Sequence, residues 1–170
     1  MDIRHFTLSL DTEALQESCL ASSIPHYYTT ENIFNQVWTG PLLESIAQLF
    51  AQIQSEGAYY IHGWLNVYTR DNPSLGIHAH GEGFEGNYHG VFTVSSPANQ
   101  YTEFLLSDGS EERVLSASNG MLIASCGDSL HRTTAVSGDE IRMTIAFDII
   151  NQDTYDTVTS GAGEYLQLRG

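Results

Sequence analysis

The stretch "EIRMTIAFDII" (140–150) constrains the fold more than any other part of the chain. Side chains two apart on an extended strand share a face. One face of this strand carries Ile141, Met143, Ile145, Phe147 and Ile149; the other carries Arg142, Thr144, Ala146 and Asp148. The apolar face needs a covering layer. The second face then looks into an interior where water is scarce. A guanidinium there costs several kcal/mol unless it meets an anion. Asp148, another protein acid, or a small-molecule carboxylate fitted to a planar two-pronged donor would each serve.

The rest of the chain supplies both layers. From Tyr59 onward, short runs rich in Val, Ile, Thr, Tyr and Phe are broken by Gly, Asn, Asp and Pro. They predict strands at "IHGWLNVY", "LGIHAH", "GVFTVSS", "TEFLL", "ERVLS", "GMLIASC", "HRTTAV" and the closing strand itself. Eight short strands without intervening helices predict a mainly β sandwich or jelly roll. The first third reads helical. One helix is expected from Thr30 as N-cap to Gly40. A second starts at Pro41 and repeats Leu42, Leu43, Ile46, Leu49, Phe50 and Ile53 at helical spacing up to Gly57. These helices would cover one sheet. A chain of 170 residues suits one domain, with a helical cover over 1–58, a jelly-roll core over 59–150 and a tail over 151–170, where "GEYLQL" offers an edge strand.

Charge narrows the partners. The formal charge is −15, with 21 acids against six basic residues, all arginine. Such a surface repels phosphate backbones and anionic lipid, so neither nucleic acid nor membrane is expected as a partner. Cys19 and Cys126 are too few for a disulfide framework or a zinc ribbon. "MDIRHFTLSLDTEAL" lacks the apolar run of a signal peptide, and no stretch approaches the ~18 apolar residues of a membrane span. A cytoplasmic protein with reduced thiols is the expectation.

The chemistry concentrates in "SLGIHAHGEGF" (74–84). His78 and His80 share a strand face, so two imidazoles can grip one ion. His131 opens the strand before the arginine strand and can supply a third ligand, with Arg142 eleven residues beyond it. Three ligands on one side of an octahedral ion leave three positions open, as O2 activation requires. Asn66 and Tyr68 share a face with Trp64 and serve either as cosubstrate contacts or as inward structural polars. His89 in "GNYHGVF" is either a substrate contact or a surface loop histidine. Arg132 faces away from His131 by parity, and Asp128 with Ser129 shapes the preceding turn.

The order "WLNVY…HAH…GVFTV…GMLIASCGDSLHRTTAVSGDEIRMTIAFDI" resembles the double-stranded β-helix core of the iron(II)- and 2-oxoglutarate-dependent oxygenases. It is most similar to a small bacterial and phage subfamily with the pattern W-x-N, H-x-H, S-G-V-Y-Y, then a late histidine and R-x-S. The resemblance spans Trp64 to Ile150, about half of the chain. It implies a jelly-roll, cupin-like fold, Fe(II), 2-oxoglutarate and O2. It also implies that Arg142 and Thr144 hold the far carboxylate of 2-oxoglutarate, and that His131 is the distal iron ligand. The wider family has H-x-D or H-x-E where this chain has His78-x-His80. Two ligand sets follow: His78, His80 and His131, or, after a shift of two, His80 and Glu82 with His131. An imidazole at His80 would fill the place where the family's halogenases admit chloride, so hydroxylation or a related oxidation is expected. The alternatives are a cupin-type three-histidine dioxygenase acting without 2-oxoglutarate, and a non-catalytic metal-binding jelly roll. The substrate is expected to be a small or carrier-bound molecule; oligomeric state is not encoded in any motif.

Overall fold

The computed structural model describes residues 3–54, 56–80, 86–105, 109–115, 119–127, 129–158 and 164–168. Its elements run β1 (Arg4–Thr7), α1 (Thr12–Ala21), α2 (Gly40–Ile53), β2 (Tyr59–Tyr68), β3 (Tyr88–Ser95), β4 (Tyr101–Leu105), β5 (Glu111–Leu115), β6 (Met121–Cys126), β7 (His131–Thr133), β8 (Arg142–Asn151), α3 (Gln152–Val158) and β9 (Leu166–Leu168). A six-stranded sheet has the order β1-β6-β3-β8-β2-β9, and a three-stranded sheet the order β5-β4-β7. All pairings between these strands are antiparallel. The smaller sheet is extended by His78, which bridges His131 through two backbone hydrogen bonds of 2.9 and 2.8 Å.

The closing strand divides its chemistry as its alternation dictates. Met143, Ile145, Phe147 and Ile149 join Ile61, Leu65 and Phe92 in a core roofed by Leu15, Cys19, Ile33, Phe34, Leu42, Ile46 and Phe50. Each such side chain contributes roughly 1.5–3 kcal/mol by leaving water. Two glycines make room for the aromatics of this layer, since Gly63 and Gly90 flank Phe147 across β2 and β3. A Cβ at Gly90 would collide with the Phe147 ring, and one at Gly63 would come within 2.5 Å of Phe34 Cε2.

The opposite face of the large sheet forms four cross-strand rows. From the deep end they are Tyr68–Arg142, Asn66–Thr144–Thr93, Trp64–Ala146–Val91 and His62–Asp148–His89. The large sheet's share of the candidate site is laid out on this grid.

Several elements differ from the sequence expectation. Pro41 does open α2, but the helix ends at Ile53 and Gln54 is already extended. The helix expected over Thr30–Gly40 is instead two single 3-10 turns, Ile33–Asn35 and Val37–Thr39. Asn32 causes the difference. Its Oδ1 accepts from the N–H groups of Phe34 and Gly63, and its Nδ2 donates to Ile61 O at 2.9 Å. A buried amide tied to β2 fixes this segment more firmly than local helix propensity can. "LGIHAH" forms a single bridge rather than a strand. The N-terminal region also contributes β1, paired with β6. The tail folds into α3 and β9, the latter pairing with Tyr59–Ile61 as an edge strand. No helix among the described residues is long and apolar enough to cross a membrane.

Candidate metal and cosubstrate site

Four imidazoles meet where the two sheets face each other. The ligand nitrogens of His78, His80 and His131 all lie within 4.8 Å of one another. Their ring centroids are 5.0 Å (His78–His80), 4.5 Å (His78–His131) and 5.3 Å (His80–His131) apart. The backbone brings them there without a full strand. His78 pairs with His131 of β7, and the N–H of His80 donates at 2.7 Å to the carbonyl of Gly127, the residue after β6.

Hydrogen bonding fixes the orientation of each ring. His78 Nδ1 lies 2.6 Å from Gly76 O, and His131 Nδ1 lies 2.9 Å from Ser129 O. A carbonyl oxygen only accepts, so both Nδ1 atoms carry the proton and both Nε2 atoms keep a lone pair. His80 follows the same rule with a different acceptor, Asp148 Oδ1 at 3.3 Å. Its Nε2 is buried with no hydrogen-bond partner. Three neutral Nε2 donors, one of them orphaned, form a suitable pocket for a divalent transition metal.

His89 is the fourth imidazole. It is 3 % exposed and sits within β3, stacks on His80 at 3.8 Å with a 9° interplanar angle, and donates from Nδ1 to Asp148 Oδ1 at 2.9 Å. The surface-loop alternative is excluded. Parity could have found this: His89, Val91 and Thr93 alternate with the apolar residues Phe92 and Val94, which belong to the helix-covered face. Asp148 also needs correcting as an anion for Arg142. Six residues separate them on one strand, about 20 Å at ~3.3 Å per residue. Asp148 serves the histidines instead.

Electrostatics disfavour the charged form of His78, His89 and His131. Burial, reinforced by the neighbouring histidines, lowers His131 to about 2 and His89 to about 4. Burial also lowers His78, against its bond to Gly76. Burial opposes the charge of Asp148, but the hydrogen bonds from His80 and His89 outweigh it and hold the carboxyl well below its ordinary range. A stability prediction follows for the metal-free protein. Between the ordinary histidine value of 6.5 and these depressed values, the unfolded chain binds more protons than the folded one, so stability rises with pH across that window. Lowering the pH from 7.5 to 5 should remove about 2–4 kcal/mol, a fall of roughly 10 °C in Tm for a chain of this size. Asp148 does not offset this, because its stabilising shift is lost only below the ordinary carboxylate range. Equal melting temperatures at the two pH values would contradict the neutral cluster.

The histidines wall one side of a cavity of about 410 Å³. Tyr28 (54 % exposed) and Ile77 (53 % exposed) flank its mouth, while Asn66, Tyr68, Thr102 and Thr133 line its buried end. Arg142 and Thr144 lie just beyond that end, both fully buried. The Arg142 guanidinium sits 5.4 Å from the Tyr68 ring centroid. The Tyr68 hydroxyl meets Thr133 and Thr144, and Asn66 Nδ2 approaches Thr144 Oγ1 at 3.5 Å. Asn66 Oδ1 and Thr102 Oγ1 are buried with no hydrogen-bond partner. Such polar atoms are costly to leave unmet, so this end is built for a polar guest. Arg132 points outward, as its parity requires, to Glu103 at 2.7 Å and Glu111 at 3.1 Å. Glu82 and Asp128 lie outside the described residues.

No protein-family model matches the chain, and no curated protein matches it in sequence. Solved structures do match it in fold. The non-haem α-ketoglutarate-dependent carbocyclase SnoK from nogalamycin biosynthesis matches with a TM-score of 0.69, over 98% of this chain and 92% of its own, at 10% identity. The related epimerase SnoN matches with a TM-score of 0.67, over 88% of this chain and 77% of its own, at 12% identity. SnoN has also been solved in complex with Fe3+, α-ketoglutarate and nogalamycin RO. A prolyl-4-hydroxylase from Pseudomonas putida gives a TM-score of 0.63, over 88% and 92% of the two chains, at 14% identity. At such identities the likeness is one of fold. The chain adopts the double-stranded β-helix of these oxygenases, with its N-terminal helices packed on the larger sheet.

Proposed function

We propose that the chain is a non-haem iron(II), 2-oxoglutarate-dependent oxygenase that hydroxylates or otherwise oxidises a C–H bond of a small or carrier-bound substrate. One observation carries the reading: three imidazole Nε2 donors wall a cavity whose buried end adjoins a guanidinium and three hydroxyls. The donor set alone suits zinc, copper, nickel or iron. The arginine end selects among these chemistries, because it fits a ligand with a carboxylate remote from the metal. The oxygenases that share the fold support the same choice.

In this reading His78, His80 and His131 hold the metal. Iron(II) bound there would supply O2 activation coupled to oxidative decarboxylation of 2-oxoglutarate to succinate and CO2. The protein's own residues do the rest. Arg142 and Thr144 grip the distal carboxylate, Arg142 through two parallel charge-assisted bonds, while the Tyr68 hydroxyl and the Asn66 amide orient the chain between carboxylate and metal. Trp64, stacked on His80 at 5.4 Å, and the exposed pair Tyr28 and Ile77 give the substrate an apolar seat and shield the centre from water. Two unpaired cysteines, Cys19 and Cys126, support a reducing cytoplasmic setting.

The three-histidine dioxygenase without 2-oxoglutarate stays as a second reading, favoured by the grouping of three histidines, His78, His80 and His131, among the described residues. A single titration separates the two. Iron(II) is added without oxygen, then 2-oxoglutarate, and the visible spectrum is followed. A metal-to-ligand charge-transfer band on the second addition is the expected result. Iron binding without the band would favour the second reading, and no iron binding would leave a non-catalytic jelly roll.

A further inference from the structure

We propose that Asp148 supplies the metal centre, through the ring of His80, with the negative charge that its three neutral ligands lack, and so positions and polarises that ligand. The inference rests on the metal-site reading above and deepens it. Asp148 projects from β8 in the row it shares with His62 and His89. One of its oxygens, Oδ1, receives two imidazole N–H groups, from His89 at 2.9 Å and from His80 at 3.3 Å. Its side chain is 16 % exposed, so solvent screens it poorly.

The three ligand rings are not equivalent. His78 and His131 each give their Nδ1 proton to a neutral backbone carbonyl two residues back, Gly76 and Ser129. Only His80 gives its proton to an anion. An imidazole whose Nδ1–H is held by a carboxylate is the more basic at Nε2 and is locked in one tautomer. His80 Nε2 is also the orphaned buried nitrogen of the set. His89 braces the arrangement from the other side. It lies parallel to His80 at 3.8 Å and fixes the same carboxylate oxygen, so Asp148 cannot swing away without breaking two hydrogen bonds. A charge held one ring away acts on the metal without occupying a coordination position, so the open positions remain open. Asp148 is therefore a positioning residue that acts through His80.

The test uses the full chain and Co(II) as the probe. Asp148→Asn keeps an accepting oxygen and removes only the charge. It should weaken Co(II) binding by about 10- to 100-fold and raise the Fe(III)/Fe(II) midpoint potential, because the oxidised ion needs the anion most. Asp148→Glu should recover most of both effects, which a merely structural role would not predict. A folded Asp148→Asn protein with the parent's Co(II) affinity and potential would overturn the proposal while leaving the metal site standing. A parent protein that binds no Co(II) would overturn both. If Asp148→Asn does not fold, the Zn(II)-loaded parent gives the answer by proton NMR. The Nδ1 proton of His80 should resonate downfield of those of His78 and His131, and an upfield position would overturn the proposal.

Discussion

Arg142→Met should leave iron(II) binding intact and raise the Kd for 2-oxoglutarate by about 10²–10³-fold, abolishing the charge-transfer band at ordinary cosubstrate concentrations. The size follows from burial. Arg142 has no exposed surface, and stranding one member of a buried charge pair costs about 3–5 kcal/mol. Methionine keeps an unbranched apolar stem and omits the guanidinium. The Tm of the variant separates loss of 2-oxoglutarate binding from loss of the fold. Iron should be unaffected because Arg142 lies in the deepest row, and Asp148 behind His80 lies in the row at the opposite end. Anaerobic titration followed by absorbance, with Tm as a control, checks both halves. A variant that still forms the band at the parent's 2-oxoglutarate concentration would remove the guanidinium from the cosubstrate site.

His131→Ala should reduce metal affinity by on the order of 10²–10³-fold, taking each ligand's share of a typical site as about 3–4 kcal/mol. His131 is 3 % exposed, is held by Ser129 and faces both other ligands. Co(II) titration measures the loss. The same titration on Glu82→Ala decides between the two ligand sets that the sequence leaves open. The three-histidine set predicts no change for Glu82→Ala and a loss comparable to His131→Ala for His78→Ala. The reverse result would place Glu82 in the first coordination sphere and release His78.

The sequence carried much of this site because strands have a strict period of two. Alternation in "EIRMTIAFDII" separated the helix-covered face from the functional face, and the structure keeps the residues from Arg142 to Ile149 on their sides, whereas Ile141 precedes β8 and is exposed. The same rule turned Arg132 outward. Pro41 marked the start of α2 because proline suits the first helical position. Where the reading failed, a long-range interaction had overruled a local preference. Asn32 reaches across to β2 and replaces an expected helix with two short turns. His78 and His80 hang from two backbone contacts with β7 and its approach rather than from a strand of their own. β1 was missed because four largely exposed residues carry no alternation to read.

By itself, the sequence determined which residue types face one another across the sheets, since parity follows from covalent geometry and needs no knowledge of the fold. It could not determine what stands behind each of those residues. Only the tertiary structure assigned Asp148 to His80 and His89 instead of Arg142, and drew His89 into the cavity wall. The physical reason is that depth along a strand, register between strands and the approach of a separate segment are set by packing over the whole molecule, and a hydrogen bond depends on all three.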